Sequence, residues 1–94
     1  MLKPTDEHLD MLERIYRVED EAGDAAELSD LKLENDRNYQ RAYRLIRELS
    51  SLRLIHELFR PADNEPHGNQ HQYYLLSARG RQVLADELER RLAT

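Results

Sequence analysis

Arginine, glutamine and tyrosine side chains are concentrated in one short stretch of this sequence, NYQRAYRLIREL at residues 38–49. Residues 37–60 carry six arginines and two acidic residues, although the whole chain has a formal net charge of −5. Arginine can bond guanine O6 and N7 together, and glutamine can bond adenine N6 and N7. The stretch therefore indicates nucleic-acid binding, with an ordinary solvated basic helix face as the alternative.

Other chemistries find little support in the residues. The chain has no cysteine, which excludes disulfides, thiolate metal sites and cysteine nucleophiles. His67 and His71 have a zinc-ligand spacing only if they lie on a helix, and Pro66 and Gly68 argue against a helix there. The sequence shows no glycine-rich phosphate loop, nucleophile turn or His/carboxylate metal motif. We therefore expect no enzymatic activity, no cofactor and no metal site.

The basic stretch has the periodicity of a helix. Apolar residues recur at i, i+3, i+4, i+7 and i+10, the pattern of a core-facing helix surface. They are Ala42, Leu45, Ile46, Leu49 and Leu52. Asp36 is a residue type that caps helices, so we predict a helix from there to about Arg53. The opposite face then presents the arginines, Gln40 and Tyr43 to solvent.

Two helices are predicted before the basic one. Pro4 and Thr5 are a helix-start signal, and two neighbouring apolar stripes follow them. The stripes are Leu9, Leu12 and Tyr16, and beside them Met11, Ile15 and Val18. Asp24, with Glu27 three residues later, is a weak capping box that predicts the start of a short second helix. The apolar face of that helix consists of Leu28, Leu31 and Leu33.

The C-terminal part of the chain predicts two strands and a final helix. LIHELFR and HQYYLL are rich in strand-forming residues, and PADNEPHGNQ between them has two prolines and a glycine. Ser77 is then placed to cap a helix over ARGRQVLADELERRL. The predicted order is α-α-α-β-β-α, a mainly α fold with a small β-hairpin in the α+β class.

This order and charge pattern are those of a winged helix-turn-helix, and the sequence resembles regulators of that fold. ELSDLKLENDRNYQRAYRLIRELSSLRLI is similar to the helix-turn-helix of MarR- and PadR-type transcription regulators, and AYRLIREL to the PadR recognition helix. GNQHQYYLLSARGRQVL resembles their wing exit, and the likeness covers about residues 28–88. The sequence departs from the families at Asn35 and Asp36, where small or apolar turn residues are usual, and at Leu75, where a polar residue is frequent.

The resemblance implies a single winged helix-turn-helix domain over residues 1–94. Its helix-turn-helix would span about 25–53, its wing about 54–76 and a C-terminal dimerisation helix about 77–93. The implied function is a sequence-specific DNA-binding transcriptional regulator, a repressor, with double-stranded operator DNA as partner. The recognition-helix residues assigned to DNA are Arg37, Asn38, Gln40, Arg41, Tyr43, Arg44 and Arg47. The wing residues assigned to DNA are Arg60, Asn64, His67, Gly68, Asn69 and His71. A solvated loop is the alternative for the wing, because Asp63 and Glu65 would repel phosphates.

A homodimer is predicted because paired DNA half-sites require a two-fold partner. The first and last helices carry more apolar residues than a thin core needs, so we predict the dimer interface on these two helices. They are Met11, Ile15, Val18, Leu84, Leu88 and Leu92. The alternative is that the same leucines cover the hairpin of their own chain.

Length and composition predict one small soluble, cytoplasmic domain with no membrane partner. No apolar run approaches the roughly 18 residues that a membrane span requires, and the N-terminus lacks the apolar segment of a signal peptide. Nineteen acidic residues against two lysines lead to the hypothesis of a halophilic source, such as a halophilic archaeon.

Two other functions stay open at this point. A winged helix used for protein–protein contact suits the net charge of −5, because nonspecific DNA affinity comes mostly from phosphate neutralisation. A replication-initiator wing domain of a plasmid or virus would bind DNA with the same helix. The sequence shows no small-molecule pocket, so the effector, the operator and the sign of regulation are left open.

Overall fold

The structure of the protein, a computed structural model, describes residues 3–61 and 70–93. Within these residues the chain is mainly helical, with one small three-stranded antiparallel sheet, so its class is α+β. The elements are α1 (Asp6–Ala22), β1 (Ala26–Glu27), a 3-10 helix (Leu28–Leu31), a second 3-10 helix (Arg37–Tyr39), α2 (Gln40–Ser51), β2 (Ile55–Pro61), β3 (Gln70–Leu76) and α3 (Ala78–Leu92). The predicted order α-α-α-β-β-α is therefore corrected to α-β-α-β-β-α.

Helix α1 begins at the predicted cap and ends at a glycine. Thr5 Oγ1 accepts a hydrogen bond from the His8 N–H at 3.4 Å, and His8 Nδ1 accepts one from the Thr5 N–H at 2.8 Å. These bonds satisfy N–H groups that have no partner inside the helix. At the other end Gly23 has a φ of 68°, which glycine adopts without steric cost, and its N–H donates to the Glu19 carbonyl oxygen at 2.8 Å.

The predicted second helix is wrong, because the residues that should start it belong to the sheet. Ala26 is fully buried opposite Tyr74 in the β1–β3 ladder. Asp24 Oδ1 accepts from the neighbouring Ala25 N–H at 2.7 Å, and the Glu27 N–H donates to Asp30 Oδ2 at 3.0 Å. The capping residue is therefore Glu27 rather than Asp24, three residues later than predicted. It precedes a 3-10 helix of four residues.

The two predicted hairpin strands are confirmed. Their antiparallel ladder runs from Ile55 opposite Leu76 to Pro61 opposite Gln70, and β1 pairs with the other side of β3, so the strand order is β1-β3-β2. Side chains two residues apart on a strand share a face. Ile55, Leu76 and Tyr74 are buried on one face, which is the core face of the sheet.

The core lies between this sheet face and the three α-helices. The predicted apolar face of α2 is confirmed, since its four buried residues are at most 3% exposed and Leu52 packs beside them. The four are Ala42, Leu45, Ile46 and Leu49. The core therefore fixes which face of α2 points to solvent.

Both apolar stripes of α1 contribute to the chain's own core, except at Tyr16, which is 40% exposed. Met11 and Ile15 are 1% and 0% exposed, and Val18 is half-buried against the same cluster. The prediction of a spare stripe for a partner chain is therefore wrong at Met11 and Ile15, because α1 packs against α2, α3 and β3 together. Leu84 of α3 is likewise buried, at 4% exposed.

Helix α3 is anchored to the junction between α2 and β2. Its predicted cap, Ser77, is confirmed: Ser77 Oγ accepts from the Gly80 N–H at 3.0 Å and donates to the Arg53 carbonyl oxygen at 2.8 Å. The Ser77 N–H also donates to the Leu54 carbonyl oxygen at 3.0 Å. Gly80 lies directly against Leu54, so closely that a Cβ atom at Gly80 would overlap the Leu54 carbonyl group. The absence of a side chain at Gly80 lets the helix approach this closely.

Candidate nucleic-acid interface

The solvent face of α2 carries the predicted arginines. Gln40, Arg41, Arg44 and Arg47 are all exposed, and Tyr43 is 45% exposed at the flank of the same face. A helix of 3.6 residues per turn places these side chains opposite the buried apolar ones. The structure therefore brings five of the seven predicted recognition-helix residues onto one helix surface.

Asp36 holds the first turn of α2 in place. Asp36 Oδ1 accepts from the Arg41 N–H at 2.8 Å, and Oδ2 accepts from the Ala42 N–H at 3.0 Å. Burial alone would raise the pKa of Asp36, but these backbone hydrogen bonds and the Arg41 charge outweigh it and lower the pKa below its ordinary value of 3.8. The carboxylate is thus ionised at neutral pH and occupies the N–H groups at the start of the helix.

The helix starts three residues later than predicted, at Gln40 rather than Arg37. Asn38 and Tyr39 have φ values of 55° and 59°, a left-handed backbone that interrupts helical structure. Asp36 bonds to N–H groups five and six residues ahead of it, rather than two or three as an ordinary cap does, so the residues between form a separate turn. Arg37 and Asn38 are exposed on this turn.

Acidic residues of α1 and α2 border the basic face on one side. Glu7 Oε2 lies 3.2 Å from Arg44 Nη2, and both side chains are more than half exposed, so this ion pair is weak and open to competition. His8 Nε2 lies 3.1 Å from Glu48 Oε1. Because His8 Nδ1 accepts from the Thr5 N–H, the neutral ring carries its proton on Nε2 and donates to Glu48. This buried histidine fixes α1 against the flank of α2.

Tyr43 borders the basic face on the other side. One concave surface of about 540 Å³ extends along α2 from Tyr43 past Arg44 and Arg47. A second, of about 310 Å³, lies between Tyr43 and the sheet residues Gln72 and Tyr74. Tyr43 therefore connects the helix face to the hairpin.

Tyr74 lies buried beneath this junction, and its phenol is uncharged. Its side chain is 1% exposed. Burial raises the pKa of Tyr74 to about 12, and the neighbouring Tyr43 and Glu57 side chains add to the effect. The phenol is therefore un-ionised throughout the physiological pH range.

The predicted wing residues are only partly within the described chain. Arg60 and His71 are opposite each other near the distal end of the β2–β3 ladder. Asn64, His67, Gly68 and Asn69 lie outside the described residues. The assignment of the wing to DNA stays a prediction.

The predicted dimer residues are divided between the core and the surface. Met11, Ile15 and Leu84 are buried within the chain and Val18 is half-buried, whereas Leu88 and Leu92 are 39% and 87% exposed on α3. Two leucines one helical turn apart therefore remain on the surface of α3.

Two residues near the candidate interface were missed by sequence reasoning. Glu7 approaches Arg44 from another helix, and Phe59 is 60% exposed on the hairpin. The alternation of side chains along LIHELFR would have placed Phe59 on one face with Ile55 and Glu57. No sequence signal indicates the contact between Glu7 and Arg44, which depends on how α1 packs on α2.

Residues 3–61 and 70–93 contain no group of three or more His, Asp or Glu side chains that could hold a metal ion. No helix in the described part of the chain is long and apolar enough to cross a membrane. No protein-family model matches the chain, and comparisons with curated proteins and with solved structures give no match.

Proposed function

We propose that the protein is a winged helix-turn-helix transcriptional regulator that binds duplex DNA with α2 in the major groove. One observation carries the proposal: the solvent face of α2 presents Gln40, Arg41, Arg44 and Arg47 together. A major-groove helix needs side chains that reach base edges and cations that meet the flanking phosphates. Arginine and glutamine supply both from one helix face.

The arrangement of the other elements supports a winged helix. The basic helix is followed directly by the β2–β3 hairpin, so that a wing would lie beside it, and β1 adds a third strand to the hairpin. The departure is the first helix of the helix-turn-helix, which is reduced to the 3-10 helix Leu28–Leu31. Leu31 is fully buried and still anchors this segment to the core.

The charges also define how DNA binding would respond to salt. The solvent face of α2 and the turn before it carry Arg37, Arg41, Arg44 and Arg47, against a net charge of −5 for the chain. Each phosphate neutralised contributes about −0.9 to the slope of log K against log salt concentration. If all four arginines meet phosphates, the slope is roughly −3 to −4 per protomer, and each arginine that bonds a base instead makes it shallower by about 1.

The experiment is a gel shift with duplex DNA from upstream of the protein's own gene, with unlabelled competitor DNA and a salt series. We expect retention of the specific duplex that survives competitor and weakens with salt. Retention that any competitor DNA abolishes equally would remove the sequence-specific part of the proposal. Absence of retention at low salt would remove DNA binding itself.

We also propose that the protein acts as a homodimer, since α3 leaves Leu88 and Leu92 exposed where a partner helix could pack. The same observation, with the net charge of −5, supports the second candidate function, a winged helix used for protein–protein contact. A replication-initiator domain would bind DNA with the same helix as a regulator. The gel shift therefore distinguishes protein contact from DNA binding, but it does not distinguish a regulator from a replication initiator.

A further inference from the structure

Phe59 is the only phenylalanine of the sequence, and 60% of it is exposed. It lies opposite Gln72 in the β2–β3 ladder. Alternation along the strand places it on the same sheet face as Ile55, which is buried in the core near the other end of β2. Ile55 packs in one core cluster with the buried residues of α2, and Phe59 continues this face of the sheet beyond the core.

Gln72 and Tyr43 lie between Phe59 and the solvent face of α2. Tyr43 lies at the flank of that face, and the concave surface beside it is lined by Gln72. Residues directly opposite in an antiparallel ladder have Cβ atoms about 4.5–5.5 Å apart, so Gln72 is adjacent to Phe59. A nucleic-acid strand leaving Arg47 would therefore pass Tyr43 and Gln72 before it reaches Phe59.

The chemistry of this surface changes from cationic to aromatic along its length. Glu57, exposed on the same face, accepts a hydrogen bond from Gln72 Nε2 at 3.0 Å, and its charge would repel a phosphate. An aromatic ring instead offers an apolar face on which a base can stack. Apolar side chains that insert beside a base step unstack it and kink the duplex.

We propose that Phe59 is a stacking residue that packs on a base step next to the segment contacted by α2. The duplex must unstack at that step, so the protein would favour a flexible pyrimidine–purine step there over a stiff A-tract. This inference rests on the proposed function and adds a specificity-determining residue to it.

The test uses a duplex that the wild-type protein retains, and compares Phe59→Ala with wild type by fluorescence anisotropy across a salt series. Loss of one stacking contact should weaken binding roughly 5- to 150-fold. The slope of log K against log salt concentration should not change, because no phosphate contact is lost. Gln82→Ala is the control: Gln82 is exposed on α3, away from the proposed DNA and dimer surfaces, and its truncation should leave both the affinity and the salt slope unchanged.

A second variant gives a direct signal of stacking. The chain has no tryptophan, so Phe59→Trp introduces a single indole that should retain the affinity and lose fluorescence when it stacks on a base. In duplexes that carry 2-aminopurine at successive positions, wild-type protein should raise the 2-aminopurine fluorescence at one base step, where the base is unstacked. Phe59→Ala should not raise it there. An unchanged affinity of Phe59→Ala, or an unquenched indole in the complex, overturns the proposal. A Phe59→Ala protein with a changed oligomeric mass and an unchanged affinity also overturns the proposal, because Phe59 would then lie in a contact between copies of the chain. In each case retention by wild type would leave the proposed function intact.

Discussion

Replacing Gly80 with alanine should destabilise the protein, although alanine is the better helix former. Exchange of glycine for alanine inside a helix stabilises by about 1 kcal/mol when the site is open. Here the new Cβ would overlap the backbone carbonyl of Leu54, which cannot rotate away as a side chain would. Helix α3 must therefore move away from the α2–β2 junction.

The cost of this movement follows from the contacts that hold α3 there. The Ser77 N–H bond to the Leu54 oxygen and the Ser77 Oγ bond to the Arg53 oxygen are 3.0 and 2.8 Å long, and both lengthen as the helix moves. Each hydrogen bond contributes about 0.5–1.5 kcal/mol net, and overpacking a closed site costs about 1–3 kcal/mol. After the helix-propensity gain is subtracted, we expect a loss of roughly 2 kcal/mol in the free energy of unfolding.

Urea unfolding followed by circular dichroism measures this loss. Ala85→Gly, at an exposed position of the same helix, is the matched control and should cost about 1 kcal/mol by helix propensity alone. A Gly80→Ala protein more stable than wild type would refute the reasoning, because it would show that propensity rather than the close approach to Leu54 decides the outcome.

Three further predictions concern the pH dependence of stability and the assembly. Asp36→Ala should lower the melting temperature at pH 7; because the folded-state pKa of Asp36 lies below 3.8, the difference from wild type should shrink as the pH falls through about 4 and below. Tyr74 should give the absorbance change at 295 nm that occurs near pH 12, and Tyr74→Phe should remove it; since its pKa is raised on folding, stability should fall as the pH rises above 10. Light scattering of the wild type should give the mass of a dimer, and Leu88→Glu with Leu92→Glu that of a monomer with an unchanged circular dichroism spectrum; a monomeric wild type at tens of micromolar would remove the homodimer.

Local signals predicted those elements whose ends and faces are fixed by neighbouring residues. The caps at Thr5 and Ser77, the apolar face of α2 and the two hairpin strands all follow from patterns a few residues long. Each of these patterns is also what the tertiary structure requires, so the prediction and the fold agree.

The prediction failed where distant parts of the chain override local preference. Ala26 pairs with Tyr74, 48 positions later in the sequence, so a segment with a helix-start signal becomes a strand. The second stripe of α1 was assigned to a partner because sequence cannot show that α2, α3 and β3 all pack around this helix. The contacts of Glu7 with Arg44 and of His8 with Glu48 depend on the same packing.

The candidate interface was more predictable than its details. Helical periodicity alone placed Gln40, Arg41, Arg44 and Arg47 on the solvent face, because the core needs the opposite one. The left-handed turn at Asn38 and Tyr39 was not predicted, because asparagine tolerates this backbone but tyrosine rarely adopts it, and the Asp36 bonds that close the turn span five and six residues. The proximity of Gln72, the ladder partner of Phe59, to Tyr43 likewise depends on the strand register.

The central claim, that the solvent face of α2 binds duplex DNA, is tested most directly by Arg41→Ala combined with Arg44→Ala. Both side chains are exposed, so the melting temperature should change little, whereas Ile46→Ala in the core should cost roughly 2–5 kcal/mol. Affinity for the retained duplex should be lost at moderate salt, and where binding is still measurable the slope of log K against log salt concentration should be shallower by about 2 for each protomer bound. Arg17→Ala, at a 68% exposed arginine of α1, should leave both quantities unchanged. A double variant that binds the duplex with the wild-type affinity and salt dependence would contradict the assignment.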